Sequence, residues 1–532
     1  MTKEQPKRIE LTVQEVQALI ERGEQQSFAE QDYPIVVSVL RNYFTLDHAH
    51  QEKSHTLTRL LNRFFGHRTE KAREVLKSAS PEQEPSPSTS VERESAKEKP
   101  KGHGRNGASA YEGAQKVCVP HPCYKAGDQC PLCPKGKLYP FGEPGIEVRI
   151  VGRAPLDAAV YELEKWRCNL CGKVFTAQVP EEAGEDKYDE TAGAMVALLK
   201  YGGGLPFNRL EKLQDGLGVP LPASTQWEIV ERTADRIHPV YSELIRQAAQ
   251  GELLYNDDTT MKILANLNKI DANGEISGKG SFTTGVLAVA GERRMALFFT
   301  GQKHAGENMA KLLEQRASGL SPPIQMCDAL SRNLPKEFET LLANCLAHAR
   351  RNFVDLISSF PEECRYVIEA LAKVYHHDKM TKEQGLSADQ RLRFHQDRSG
   401  PVMERLNEWL QKRLDQRKVE PNSSMGKAIA YMLNHWEPLT LFLRVPGAPL
   451  DNNLCEQILK RAILHRKNSL FFRTEHGAYI GDLFMSLIHT CTLNHVNPFH
   501  YLTTLQRHSS ELFKNPKRWL PWNYQQAATH PA

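Results

Sequence analysis

Residues 252–264 read ELLYNDDTTMKIL. An apolar run ends here in two adjacent acids, Asp257 and Asp258. In a strand, successive side chains point to opposite faces, so these two carboxylates cannot share one ion and at most one of them is a ligand. An acid closing a strand of this kind is where α/β sheets build sites. Downstream, SFTTGVLAVA (281–290), RRMALFFTG (293–301) and PPIQMCDAL (322–330) alternate with turns, and HAGENMAKLLEQRA (304–317) has helical periodicity. Three strands, a helix and a further strand predict an α/β sheet beginning at residue 251.

The fourth of these strands ends in Asp328. A third acid stands in GAPLDNNLCEQILKRAILHRKN (447–468), where Glu456, Lys460 and Lys467 fall on one helical stripe. Alone, Glu456 reads equally well as a capping box with Asn453 and an exposed Glu–Lys pair. Two strand-end aspartates followed by a helix glutamate form a pattern that no single acid makes.

The remaining chain divides by composition. The 532 residues are too many for one core. With 40% hydrophobic and 25% charged residues the composition is that of a globular protein, and the net charge of +4 is too small to argue for or against nucleic acid. No apolar run reaches the roughly 18 residues of a membrane span, and the polar start MTKEQPKRIE has no secretory signal, so a cytoplasmic protein without membrane contact is expected. Residues 1–76 are helical, either a hairpin or a self-associating coil, with Val36, Leu40 and Tyr43, then Leu57, Leu60 and Phe64, at a/d spacing. Residues 77–117 are a disordered linker rich in Pro, Ser, Glu and Lys.

Residues 118–185 contain CPLC (Cys130, Cys133) and CNLC (Cys168, Cys171), two knuckles that together can complete a tetrahedral, structural Zn²⁺ site in a ribbon. Cys118, His121 and Cys123 are a weaker second set. Residues 186–250 read helix, Gly-rich turn (Gly216, Gly218), helix, with Thr225 and Glu228 as a capping box, a helix-turn-helix-like arrangement. Residues 251–354 and 446–492 are the two parts of the sheet domain, separated by a helical insertion at 355–445 and followed by a tail at 493–532.

The stretches DDTTMKIL, CDALSRN, CLAHARRNF and PLDNNLCEQILKRAILHRKNSLFF, with NHVNPFHYL near the end, resemble the transposases of the insertion sequence 66 family. FFGHRTEK, the paired CxxC and LKYGGGLPFNRLEKLQ extend the likeness over nearly the whole chain. Two positions depart from the family pattern: Asp258 stands where Glu is usual, and Gln457 where Arg is common.

The resemblance implies a multidomain α/β protein with an RNase H-like mixed sheet. It implies a DDE triad of Asp257, Asp328 and Glu456 holding two Mg²⁺ or Mn²⁺ ions, which clamp a phosphodiester at a separation of about 3.5–4 Å. Cleavage and strand transfer of DNA at the element's ends would follow. Arg350, Arg351, Lys460, Arg466 and Lys467 are expected on DNA phosphates, and His348 in support of the site. The partners implied are transposon-end and target DNA, further copies of the chain and small accessory proteins of the element. Two other functions fit the same features: a metal-dependent nuclease without strand transfer, and a non-catalytic zinc-ribbon DNA-binding protein.

Overall fold

In the computed structural model, residues 13–25, 27–39, 116–132, 135–140, 148, 150, 152–167, 169, 171, 173–184, 186–267 and 280–529 are described. The central element is the strand that carries the doubled aspartate. Seven strands are named in chain order: β1 (Lys165–Arg167), β2 (Val174–Thr176), β3 (Leu253–Met261), β4 (Ser281–Ala290), β5 (Arg293–Gly301), β6 (Ile324–Cys327) and β7 (Leu341–Asn344). The helices discussed below are α1 (Val13–Glu24), α2 (Glu190–Ala197), α3 (Phe207–Gly216), α4 (Ala223–Ala248), α5 (Ala305–Leu313), α6 (Leu346–Val354), α7 (Pro361–Glu383), α8 (Ala388–Arg398), α9 (Gly400–Asp415), α10 (Ser424–Asn434), α11 (Asn453–Ser469), α12 (Glu475–Leu493) and α13 (Pro498–Arg507).

The main sheet has the order β5-β4-β3-β6-β7. β3, β4 and β5 are antiparallel, whereas β6 and β7 run parallel to β3. β4 and β5 occupy the ranges that apolar periodicity predicts. β7 was not anticipated, because the four-residue LLAN is too short to show alternation.

The β5 edge of the sheet is closed by side chains of α12. Along β5, the outward N–H groups of Arg294, Ala296, Phe298 and Thr300 donate to Asn494 Oδ1 (3.3 Å), Thr490 Oγ1 (3.0 Å), Ser486 Oγ (3.0 Å) and Asp482 Oδ2 (2.6 Å). The match is metric: two strand residues advance about 6.7 Å and four helix residues about 6 Å. A polar residue at every fourth position of an otherwise apolar helix therefore satisfies alternate amides of an antiparallel edge, which would otherwise be buried without partners.

Between the two parts of the sheet domain, α7, α8, α9 and α10 form the predicted helical insertion. Asp378 of α7 is its buried polar centre, bonded to Arg391 (2.6 Å), Lys382 (2.7 Å) and His395 (3.4 Å). Within 186–250, α3 and α4 are joined by a short turn that contains Gly218, but the expected capping box is absent. α4 begins two residues before Thr225, with Pro222 at its N-cap and no side-chain cap. Glu228, Arg232 and Asp235 are on its exposed face, a mixed rather than basic surface.

By contact, the chain forms two compact units, 82–155 and the rest. Within the smaller unit, the described residues include a short hairpin in which Cys130 N–H donates to Gly136 O (2.8 Å) and Leu138 N–H to Asp128 O (2.8 Å). In the larger unit, β1 and β2 pair as an exposed hairpin whose turn carries Cys171. Cys133 and Cys168 of the expected zinc set lie outside the described residues, as do residues 77–115 of the linker and Leu40, Tyr43, Leu57, Leu60 and Phe64. Of the N-terminal segment, α1 and a helix at 32–39 are described, joined by a bidentate pair from Arg22 to Asp32 (2.9 and 3.0 Å).

Replacing Thr490 by Val strands the buried Ala296 N–H. We expect a loss of about 1–3 kcal/mol, read as a lower melting temperature and faster amide exchange along β5. An unchanged melt and exchange pattern would contradict the edge-closing role of α12.

Candidate active site

The two halves of the doubled aspartate face different surroundings, as alternation requires. Asp258 is buried, its side chain 2% exposed. It accepts from Arg332 (3.2 Å) and lies 2.9 Å from His304 Nδ1. Its antiparallel partner Thr284 accepts from Asn308 of α5, which puts this face of the sheet towards α5. Of the two roles open to Asp258, supporting or solvent-facing, the geometry favours the first.

Asp257 lies on the other face, under α11. Its antiparallel partner is Gly285, where an added Cβ would stand 3.2 Å from Leu459 Cδ1 and 3.9 Å from Cys455 Sγ. The glycine is what lets α11 approach the sheet closely beside Asp257. Parallel pairing of β3 with β6 ends at Tyr255 and Met326. Continued two residues, that register brings Asp257 level with Asp328, on strands about 4.8 Å apart. Glu456 reaches the same place from the first turn of α11.

The electrostatics agree with this convergence. Burial first, then the charges of Asp328, Asp258 and Glu456, push the Asp257 carboxyl up to about 7, although the Asp258 N–H (2.8 Å) opposes the shift. Burial likewise raises Asp328, partly offset by His348 and by the Leu330 N–H. Glu456 forms no capping box: Asn452 is the N-cap of α11 and its side chain makes no cap bond. Glu456 Oε1 is buried without a hydrogen bond, 3.8 Å from His348 Nε2.

Beneath the acids runs a buried amide network that reasoning from the sequence missed. Asn256 Nδ2 and Gln325 Nε2 both donate to the Asn333 carbonyl (2.8 Å each), and Gln325 also donates to Asn256 Oδ1 (2.9 Å). Asn333 Nδ2 donates in turn to Asp328 Oδ1. Asn452 Nδ2 donates to the Asn256 carbonyl (3.3 Å), seating the start of α11 on β3. The far end of α11 is held by Arg466, whose Nη1 donates to Thr259 Oγ1 (2.9 Å), Thr260 Oγ1 (2.7 Å) and the Thr260 carbonyl. Each amide stands within five residues of an acid in the sequence, the one signal that could have exposed it.

The residues expected on DNA separate by exposure. Lys460 and Lys467 are exposed on α11. Arg351 is half-buried, and Arg350, 9% exposed, is buried in the packing of α6 and is not presented to a macromolecule. Arg466 bonds to β3 rather than standing free. Arg332 and His304, beside Asp258, carry no pattern by which they could be selected before the fold was known. Cys345, His348 and Glu456 place one donor atom each within 4.8 Å of one another, a group able to hold a metal ion.

A raised carboxyl has a definite sign in stability. Its folded value lies above the unfolded one of about 3.9, so the native state binds more protons between pH 4 and 7 and loses stability as pH rises through that window. Without divalent metal, Asp257→Asn should therefore melt a few degrees above the wild type at pH 7.5 and close to it at pH 4.5. An equal gap at both pH values would contradict the raised Asp257 carboxyl described here.

The family model described as Transposase IS66 family matches residues 187–480, more than half of the chain. Two similar proteins of Sinorhizobium fredii are both named as uncharacterized. With y4jD the chain is 27% identical over 416 residues, 74% of this chain and 77% of that protein. With y4hP it is 26% identical over 431 residues, 75% of this chain and 74% of that protein. No helix among the described residues is long and apolar enough to cross a membrane. Family membership makes DNA the implied substrate, and its matched span contains β3, β6 and α11: this chain belongs to the IS66 transposase family.

Proposed function

We propose that the chain is a DDE transposase whose catalytic acids are Asp257, Asp328 and Glu456, on an RNase H-like domain interrupted by the 355–445 insertion. The observation that carries this reading is the convergence of the three acids. Asp257 lies on β3 and Asp328 directly follows β6, its parallel neighbour in a sheet ordered β5-β4-β3-β6-β7, and the charges of Asp328 and of Glu456 at the start of α11 both act on Asp257. A carboxyl pushed up to about 7, by burial first and then by its acidic neighbours, is a poor arrangement for a bare protein and a good one for a cation-binding site.

The donor set is carboxylate oxygen, which suits Mg²⁺ or Mn²⁺. Two such ions, when bound, would supply the charge that activates the attacking oxygen and stabilises the leaving one. The chain's own residues set the rest. The amide network fixes Asp328 against β3, and Gly285 admits α11. Arg332 and His304 keep Asp258 on the opposite face, and Lys460 and Lys467 offer exposed charge to a phosphate backbone. On sequence grounds we also propose a structural Zn²⁺ on Cys130, Cys133, Cys168 and Cys171, a cytoplasmic protein, a homo-oligomer at the DNA ends, and small accessory partners.

With end DNA and Mg²⁺, Asp257→Asn, Asp328→Asn and Glu456→Gln should each lower cleavage by about a thousandfold or more, while binding to the same DNA without Mg²⁺ stays near wild type. Asp258→Asn should lower cleavage far less. Cleavage that survives Asp257→Asn would refute the assignment. Cleavage without joined products would favour the simple nuclease.

A further inference from the structure

The first turn of α6 carries a second donor set beside the acids. Cys345 is its N-cap and His348 follows three residues later, so the two side chains share one face of the helix start. The Cys345 sulfur is 1% exposed at the residue level and accepts the Asn452 N–H at 3.3 Å. Burial raises the Cys345 thiol to about 11, although this N–H and those of the helix start pull the other way, so a cation bound here would displace the thiol proton. From α11, Glu456 brings a carboxylate to the same point.

The spacing fits an ion and not a closed hydrogen-bond network. Donors about 2.1 Å from a tetrahedral ion stand about 3.4 Å apart. Glu456 Oε1 and His348 Nε2 are 3.8 Å apart, too far for a hydrogen bond, and Oε1 has no hydrogen-bond partner although it is buried. All three donor atoms lie within 4.8 Å of one another. A sulfur, a nitrogen and an oxygen together match a borderline-soft cation, in contrast to the all-oxygen preference of Mg²⁺.

We propose that Cys345, His348 and Glu456 form a site for a Zn²⁺-class cation, separate from the paired CxxC cysteines. The proposal touches the function proposed above at one residue, Glu456, which belongs to both donor sets. Zn²⁺ held here would draw that glutamate away from Asp257 and Asp328, so the site also provides a means by which zinc opposes Mg²⁺-dependent chemistry.

The test uses the full chain without DNA. Co²⁺ is titrated into wild type, Cys345→Ser and His348→Gln, following the thiolate-to-cobalt charge-transfer absorption, with Zn²⁺ competition for affinity. Wild type should take up one more equivalent than Cys345→Ser, in which the extra thiolate band is absent. Affinity at that site should be weaker by about tenfold or more in His348→Gln. His348 is partly exposed, so its variant keeps the test valid even if the buried Cys345→Ser misfolds. Equal stoichiometry, spectra and affinity in wild type and His348→Gln would overturn the site. Because no DNA is present, that result is independent of whether the wild type cuts DNA in Mg²⁺, so the site and the transposase reading can fail separately.

Discussion

The rest of this structure is organised around one constraint: Asp257 and Asp328 are buried acids held side by side, and burial first and like charge second raise the Asp257 carboxyl. Parallel register sets the two carboxylates level on adjacent strands, in a position half removed from water. Like charges a few ångströms apart, weakly screened, favour any movement that separates them. A fold that keeps them together needs rigidity from elsewhere. The buried amides of Asn256, Gln325 and Asn333 provide it on the β3–β6 side, tying the loop after Asp328 back to β3. Asn452 and Arg466 provide it along α11, pinning both ends of the glutamate helix to the same strand.

Seen this way, the doubled aspartate is a division of labour. One acid faces its like and is pushed towards neutrality. The other is held on the opposite face by an ion pair with Arg332, which also anchors the loop between Asp328 and Asn333, and by a hydrogen bond with His304. The distant α12 contributes indirectly. Its ladder of Asp482, Ser486, Thr490 and Asn494 closes the β5 edge of the antiparallel half of the sheet, on which Gly285 must meet α11.

Much of this was legible in the sequence, for identifiable reasons. β4 and β5 are long enough for their apolar runs to show, and the opposite faces of Asp257 and Asp258 follow from strand geometry alone. The order of the three acids was readable because apolar runs break at both aspartates and a helix start marks Glu456, but β3 continues past Asp257 to Met261, so only Asp328 closes its strand as expected. β7 was not, since four residues carry no period. The amide network was hidden because Asn and Gln look like loop residues until a register places them under a sheet. The start of α4 was misjudged because a Thr-x-x-Glu spacing outweighed Pro222, which pre-sets a helix start just as well. Arg350 and Arg466 seemed free because basic residues usually are; burial and hydrogen bonds to β3 could be seen only in three dimensions. The ladder of α12 was present as D-x₃-S-x₃-T-x₃-N, but its purpose depends on an edge strand nearly 200 residues earlier.

The central claim is that Asp257, Asp328 and Glu456 together hold divalent cations. Anomalous diffraction from crystals of the wild type and of Asp257→Asn, both soaked in Mn²⁺, tests it most directly. The account predicts manganese peaks enclosed by the three carboxylates in the wild type and their loss in the variant. Manganese absent from between these residues, or unchanged by removal of the Asp257 charge, would contradict it.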